Sequence, residues 1–262
     1  MKIKLFILLL FMYTFYSCDR FEYSPYQISP GHYKEINRQN ISRFIHSDKD
    51  TIRIALIGDT QRFYAGTAKV IEKINHTPGI DFVVHTGDLV DFGLQREYIW
   101  IHELLSELKC PYVAVVGNHD LIGQGGHVYN SMYGDFDFSF IFSGNKFIFL
   151  NTNSREYYFD KNTPNLSWLE AELSDTTGYT NALIINHVPP YSTDFHPEQG
   201  PKYASLLGKY GKTLMSINGH GHDFDFLTPY QDGIPYINTF STSRENFVLL
   251  TIWSNEYRLE IK

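Results

Sequence analysis

Between Thr51 and Gly117 the chain repeats one pattern: a short apolar run, a glycine, then a polar cluster. The runs are TIRIALIG (51–58), IDFVVHTG (80–87) and PYVAVVG (111–117). The stretches between them, 66–75 and 95–108, carry apolar residues at helical spacing. Val70, Ile71 and Ile74 share one face of the first, and Tyr98, Ile101, Leu105 and Leu108 one face of the second. Strands joined by helical crossovers pair in parallel with right-handed connections.

The second half changes character. FDFSFIFSGNKFIFLNTN (136–153) reads as two strands around a Ser-Gly-Asn turn, and SWLEAEL (167–173) as a short helix. ALIINH (182–187) and TLMSING (213–219) read as strands. Residues 223–261 read as further strands, with turns at Gln231-Asp232-Gly233 and Ser254-Asn255. A chain that begins as βαβ and ends as antiparallel β is expected to fold as an α/β domain, a sandwich of two sheets flanked by helices. The aromatic fraction of 16% suits a strand-rich architecture, and 262 residues at 43% hydrophobic suffice for one sizeable core. No internal repeat, low-complexity tract or second domain is visible.

The N-terminus has its own logic. MKIK supplies two lysines, LFILLLFMYTFYS is largely apolar, and Cys18-Asp19 follows. The run is shorter than the ~20 residues of a membrane span and fits a signal peptide. The order of charge, apolar run and cysteine resembles a bacterial lipoprotein leader. It implies cleavage after residue 17, acylation of Cys18, and an exported protein anchored to a membrane of the cell envelope. Residues 18–48 then form a tether, partly packed because of Phe21, Tyr23, Tyr26, Tyr33 and Phe44, and 49–262 form the domain. With Cys18 acylated, Cys110 is left as a buried structural thiol and no disulfide framework exists. The net charge of −7 and the lack of a basic run argue against an extended nucleic-acid groove, but leave room for a small phosphate-containing substrate.

The polar clusters carry the chemistry. The strand ends deliver Asp59 and Gln61, then Asp88 and Asp91, then Asn118, His119 and Asp120, then His187, and last His220 and His222. Any one of these reads as a turn or helix cap. Together, at the carboxyl ends of strands where α/β folds bind ligands, they read as a metal site. Mixed nitrogen and oxygen donors suit Mn, Fe or Zn better than Ca.

In this order the clusters resemble the calcineurin-like metallophosphoesterases, whose motifs run D-x-H, G-D-x-x-D, G-N-H-D/E, a lone His and G-H-x-H. Here they are Asp59-Thr60-Gln61, Gly87 to Asp91, Gly117 to Asp120, His187, and Gly219 to His222, within about residues 51–250. Only Gln61 departs from the pattern. The resemblance implies two divalent ions, one held by Asp59, Gln61, Asp88 and His222, the other by Asp88, Asn118, His187 and His220, with Asp88 bridging. It implies hydrolysis of a phosphomonoester or phosphodiester by a metal-bridging hydroxide. His119 would face the substrate's leaving oxygen and Asp120 would orient it, while Asp91 would hold a loop or hydrogen-bond a partner beside the site rather than bind a metal. Gln61, a neutral oxygen donor, shifts the preference toward Mn; the other reading of it is a lost ligand. The rival from another class is an inactive binding module of the same fold on the cell envelope. His85, His102, His127 and His196 have blander readings as core or loop residues. The stretches 121–135 and 189–201 are expected to be loops that set specificity.

Overall fold

The computed structural model describes residues 24–26, 28, 31, 33–46 and 48–262; the expected signal peptide and Cys18 lie outside the described residues. Eleven strands form two sheets among them. One has the order β11-β10-β1-β2-β3, built from β1 (Thr51–Ile57), β2 (Phe82–His85), β3 (Tyr112–Ala114), β10 (Val248–Trp253) and β11 (Glu256–Ile261). The other has the order β4-β5-β6-β7-β9-β8, built from β4 (Phe138–Phe142), β5 (Asn145–Phe149), β6 (Asn181–Ile185), β7 (Thr213–Asn218), β8 (Asp225–Leu227) and β9 (Tyr236–Asn238).

The period-2 alternation of β1 explains the layering. Ile52, Ile54 and Leu56 face the second sheet, meeting Phe140, Phe147, Leu183 and Ile217. Ala55 and Ile57 face the other way, onto α2 (Tyr64–His76) and α3 (Gln95–Leu105) through Val70, Ile71, Ile74, Tyr98, Ile101 and Leu105. The second sheet repeats this outward, where Ile148, Ile184 and Tyr236 pack on α5 (Leu166–Ser174) and α6 (Gly200–Lys209). The result is the expected helix–sheet–sheet–helix sandwich.

The crossovers keep β1, β2 and β3 parallel, so their carboxyl ends emerge together. In the second sheet β5, β6, β7 and β9 run parallel to one another, with β4 and β8 antiparallel at the two edges. The tail is therefore not all antiparallel: β9 pairs with β7 in parallel before the chain crosses back to β10, which runs antiparallel to β1.

Three helices escaped the periodicity. Residues 121–135, expected to be a loop, contain α4 (Gly125–Tyr133), which buries Val128, Tyr129, Met132 and Tyr133; His127 sits on this helix. The 189–201 stretch runs into α6. Within 18–48, α1 (Ile36–Ser42) docks on β3: Asn37 Nδ2 donates to Ala114 O (3.0 Å) and Ala114 N donates to Asn37 Oδ1 (2.9 Å). That side chain occupies β3's open edge as a neighbouring strand would. Phe44 stacks on Phe82 at 4.6 Å.

Candidate metal centre

The strand ends meet above the gap between the sheets. Backbone bonds tie the first two loops together: Asp59 N donates to Gly87 O (3.0 Å) and Gln61 N to Asp88 O (3.1 Å). The approach is too close for side chains at two glycines. A Cβ on Gly117 would lie 2.1 Å from Asp88 N, and one on Gly87 would lie 2.7 Å from His187 Nδ1. Site residues themselves adopt left-handed backbone, with φ of 50° at Asp59, 31° at Gln61, 57° at Asp88, 70° at His220 and 63° at His222. Such conformations are uncommon outside glycine and gather at functional sites.

Asp59, Asp88 and His187 are buried, and each offers a ligand atom within 4.8 Å of the others. His187 Nδ1 donates to Thr86 O (2.8 Å), which leaves Nε2 facing Asp88 Oδ1 at 3.3 Å and Asn118 Oδ1 at 2.9 Å. His220 is arranged the same way. Its Nε2 meets Asp194 Oδ2 at 3.2 Å, and its Nδ1 faces Asn118 Oδ1 at 3.1 Å. Asp59 Oδ1 is buried with no hydrogen-bond partner, and His222 Nε2 stands 3.4 Å from it. Gln61 Nε2 donates to Asp88 Oδ2 at 2.8 Å, so its amide lies against the carboxylate expected to bridge. The expected ligands thus all converge. Lone pairs turned toward one another, one buried carboxylate oxygen without a donor, and neighbouring glycines that admit no side chain together fit divalent cations.

The electrostatics point the same way. Burial pushes the Asp59 carboxyl up to about 8, against the pull of the His187 imidazole. Burial would raise Asp88 too, but the adjacent His187 charge holds it well below the usual carboxylate range. Burial likewise opposes a charge on His187, yet Asp88 outweighs it and lifts the imidazole to about 10. His220 and His222 are lowered, by burial first.

The third cluster needs a correction. Asp120 does not orient His119. Its side chain turns inward, Oδ2 accepting from Gly117 N (2.8 Å) and Oδ1 from Val90 N (3.1 Å). Adjacent residues on a 3₁₀ turn project in different directions, so the carboxylate cannot follow its neighbour's ring. Asp91 holds His119 instead: Nδ1 donates to Asp91 O (2.9 Å) and lies 3.6 Å from Asp91 Oδ1. Arg62 Nη2 completes this arm by donating to Asp91 Oδ1 (2.8 Å).

Sequence reasoning missed Asp194 and Arg155, whose Nη1 lies 3.2 Å from Asp194 Oδ1. Arg155 sits on a 3₁₀ turn (Ser154–Tyr157) and Asp194 in an irregular loop, with no motif around either. His85 proves to be a brace. Its Nδ1 accepts from Gly87 N (3.2 Å) and its Nε2 meets Thr60 Oγ1 (3.1 Å), while burial lowers it to about 3 and keeps it neutral. His102 bonds the Tyr112 hydroxyl, and His196 Nδ1 accepts from Glu198 N.

Comparison with known proteins agrees. The calcineurin-like phosphoesterase profile matches residues 52–224. A glycerophosphodiester phosphodiesterase GpdQ of Enterobacter lignolyticus (strain SCF1) is 27% identical over 188 residues, covering 64% of this chain and 65% of that protein. The chain therefore spans just under two thirds of that relative's length. Among solved structures, a dimetal phosphatase from Danio rerio superposes with a TM-score of 0.64 at 15% identity, over 80% of this chain and 95% of its own. GAP50, the anchor in the inner membrane complex of Plasmodium, superposes with a TM-score of 0.62 at 16% identity, over 81% of this chain and 84% of its own. At such identities both speak for the fold alone. The profile extends from β1 past the last histidine of the cluster, and on that match this chain belongs to the calcineurin-like phosphoesterase family, whose members are metal-dependent hydrolases.

Proposed function

We propose that the protein hydrolyses a phosphomonoester or phosphodiester using two divalent ions. The observation that carries this reading is the buried Asp59–Asp88–His187 cluster, whose ligand atoms lie within 4.8 Å of one another. Asp59, Gln61, Asp88 and His222 would hold one ion, and Asp88, Asn118, His187 and His220 the other. Such ions supply positive charge for the phosphoryl oxygens and lower the pKa of water.

The chain's own residues do the rest. Thr86 and Asp194 fix the imidazoles of His187 and His220, so that Nε2 of one and Nδ1 of the other face inward. His119, partly exposed and tied through Nδ1 to Asp91, presents Nε2 to the cleft, where it protonates or stabilises the departing oxygen. Mn is the favoured metal, because Gln61 offers an oxygen where an imidazole would favour Zn or Fe. The protein is further read as an exported lipoprotein anchored through Cys18.

The rival is an inactive binding module of the same fold on the cell envelope; the departure of Gln61 from the family's first motif is what allows it. His119 held by its own partner in the cleft supports the enzyme. The test is to purify the full chain, measure bound metal, and assay nitrophenyl phosphate and bis-nitrophenyl phosphate with Mn. Asp88→Asn should lose both metal and turnover. Metal below one ion per chain, with turnover untouched by Asp88→Asn, would overturn the dinuclear reading; bound metal without turnover of either ester would favour the module.

A further inference from the structure

The mouth of the cleft carries exposed apolar side chains on the same loops that carry the site. Phe92 (57% exposed) follows Asp91, Ile122 (42%) lies just past His119, and Tyr158 (94%) and Phe159 (39%) follow Arg155. These loops touch one another. A Cβ on Gly93 would lie 2.3 Å from Ile122 O, and one on Gly123 would lie 3.7 Å from the ring of Tyr26, itself exposed. A cavity of about 390 Å³ opens between the 121–130 stretch and the 156–157 turn, with Leu121, Phe136 and Tyr157 on its walls. Arg62 and Arg155 border the same mouth with well-exposed side chains. Each guanidinium gives one nitrogen to its aspartate, and a guanidinium has five N–H donors, so further ones face solvent. Asp160, next to Phe159, turns its carboxylate onto the backbone of Asn162 and Thr163.

The chain itself arrives at this edge. Tyr26 packs against Gly123, beside Ile122. Cys18 precedes Tyr26 by eight residues, and the apolar run 5–17 lies directly before it. Eight residues reach at most about 28 Å. Anything that fixes residues 5–18 in a bilayer therefore holds this mouth close to it. The Ser254-Asn255 turn lies at the other end of the sheet, because Trp253 pairs with Thr51 at the start of β1 while Asp59 follows its end.

We propose that the mouth of the cleft docks on a phospholipid bilayer. Phe92, Ile122, Tyr158 and Phe159 enter the headgroup layer, and Arg62 and Arg155 pair with lipid phosphates. Large apolar and aromatic side chains interleaved with guanidiniums are what an interfacial surface requires. This rests on the reading of the N-terminus as a membrane anchor, which vesicle flotation checks separately; the cleft then faces the bilayer that the anchor enters. This docking does not depend on turnover.

Hydrogen exchange tests it on the full chain, in vesicles of phosphatidylglycerol and phosphatidylcholine and in detergent. In vesicles, amides of 91–94, 121–124 and 156–160 should exchange at least tenfold more slowly, with 253–256 unchanged. Phe92→Ser combined with Tyr158→Ser should remove that protection while the chain stays on the vesicles through its N-terminus. Equal exchange in vesicles and detergent, or protection at 253–256 instead, overturns the proposal. Protection of the three loops in detergent that grows with protein concentration also overturns it, because a second copy then covers the mouth.

Discussion

The Nδ1–H of His187 donates to Thr86 O at 2.8 Å, and that bond aims Nε2 at Asp88 Oδ1, 3.3 Å away. Thr86 lies two residues before Asp88, so one loop supplies the carboxylate and orients the imidazole that faces it. The pair keeps its geometry only if a proton or a cation sits close to Nε2.

This sets a pH signature. In the presence of a chelator, Asp59 holds its proton up to about pH 8 and His187 up to about 10, both above their ordinary values. Between pH 7 and 9 the folded chain thus binds more protons than the unfolded one, and stability falls as pH rises. His85, lowered to about 3, acts in the opposite sense only below about pH 6.5. The melting midpoint with chelator should drop from pH 7 to 9. Saturating Mn, which takes the place of those protons, should abolish the drop. A midpoint that is flat with chelator would contradict this.

Gln61 donates its amide N–H to Asp88 Oδ2, and it has no ring nitrogen to offer an ion as a histidine would. Gln61→His should raise Zn affinity relative to Mn by about tenfold or more, read by competition against a chromogenic chelator. An unchanged Zn-to-Mn ratio would mean that Gln61 touches no ion.

His119 and Asp91 form one arm. His119→Ala should lower kcat by about 10²–10⁴ with bound metal unchanged. Asp91→Ala frees the ring and Arg62 together, and should lower kcat about tenfold with metal content again intact. Loss of metal in either variant would place these residues among the ligands instead.

Asp120 should behave as a structural residue. It is fully buried, and its oxygens receive the N–H groups of Gly117 and Val90. An amide there turns its NH₂ toward one of those donors, so Asp120→Asn should destabilise the fold by about 1–3 kcal/mol. Denaturant titration measures that loss. The molecules that fold should retain activity within a few-fold, whereas a loss of kcat at full stability would return Asp120 to the chemistry.

Much of this was legible in the chain. The first three strands show as apolar runs closed by glycine, and their ends name the site, because a ligand must be presented where a strand stops. What stayed hidden depends on tertiary contact. GGHVYNSMY makes α4 although it opens on two glycines, since Tyr129 and Tyr133 gain more from burial than the glycines lose. Asn37 reads as a polar residue in a tether until β3 is seen to lack a neighbour on that side. Asp194 holds a site imidazole from a loop that carries no motif. Asp91 stands in the second motif, but that it rather than Asp120 holds His119 depends on how two loops meet, which no local pattern encodes.

The left-handed backbone at Asp59, Gln61, Asp88, His220 and His222 bears on how this protein would respond to laboratory evolution. Glycine suits each of those conformations better than the residue in place. A library sorted for thermal resistance in the presence of a chelator should accumulate glycine at these codons and lose its metal. A library sorted for turnover should reject those same codons, so the two screens would pull the five positions in opposite directions.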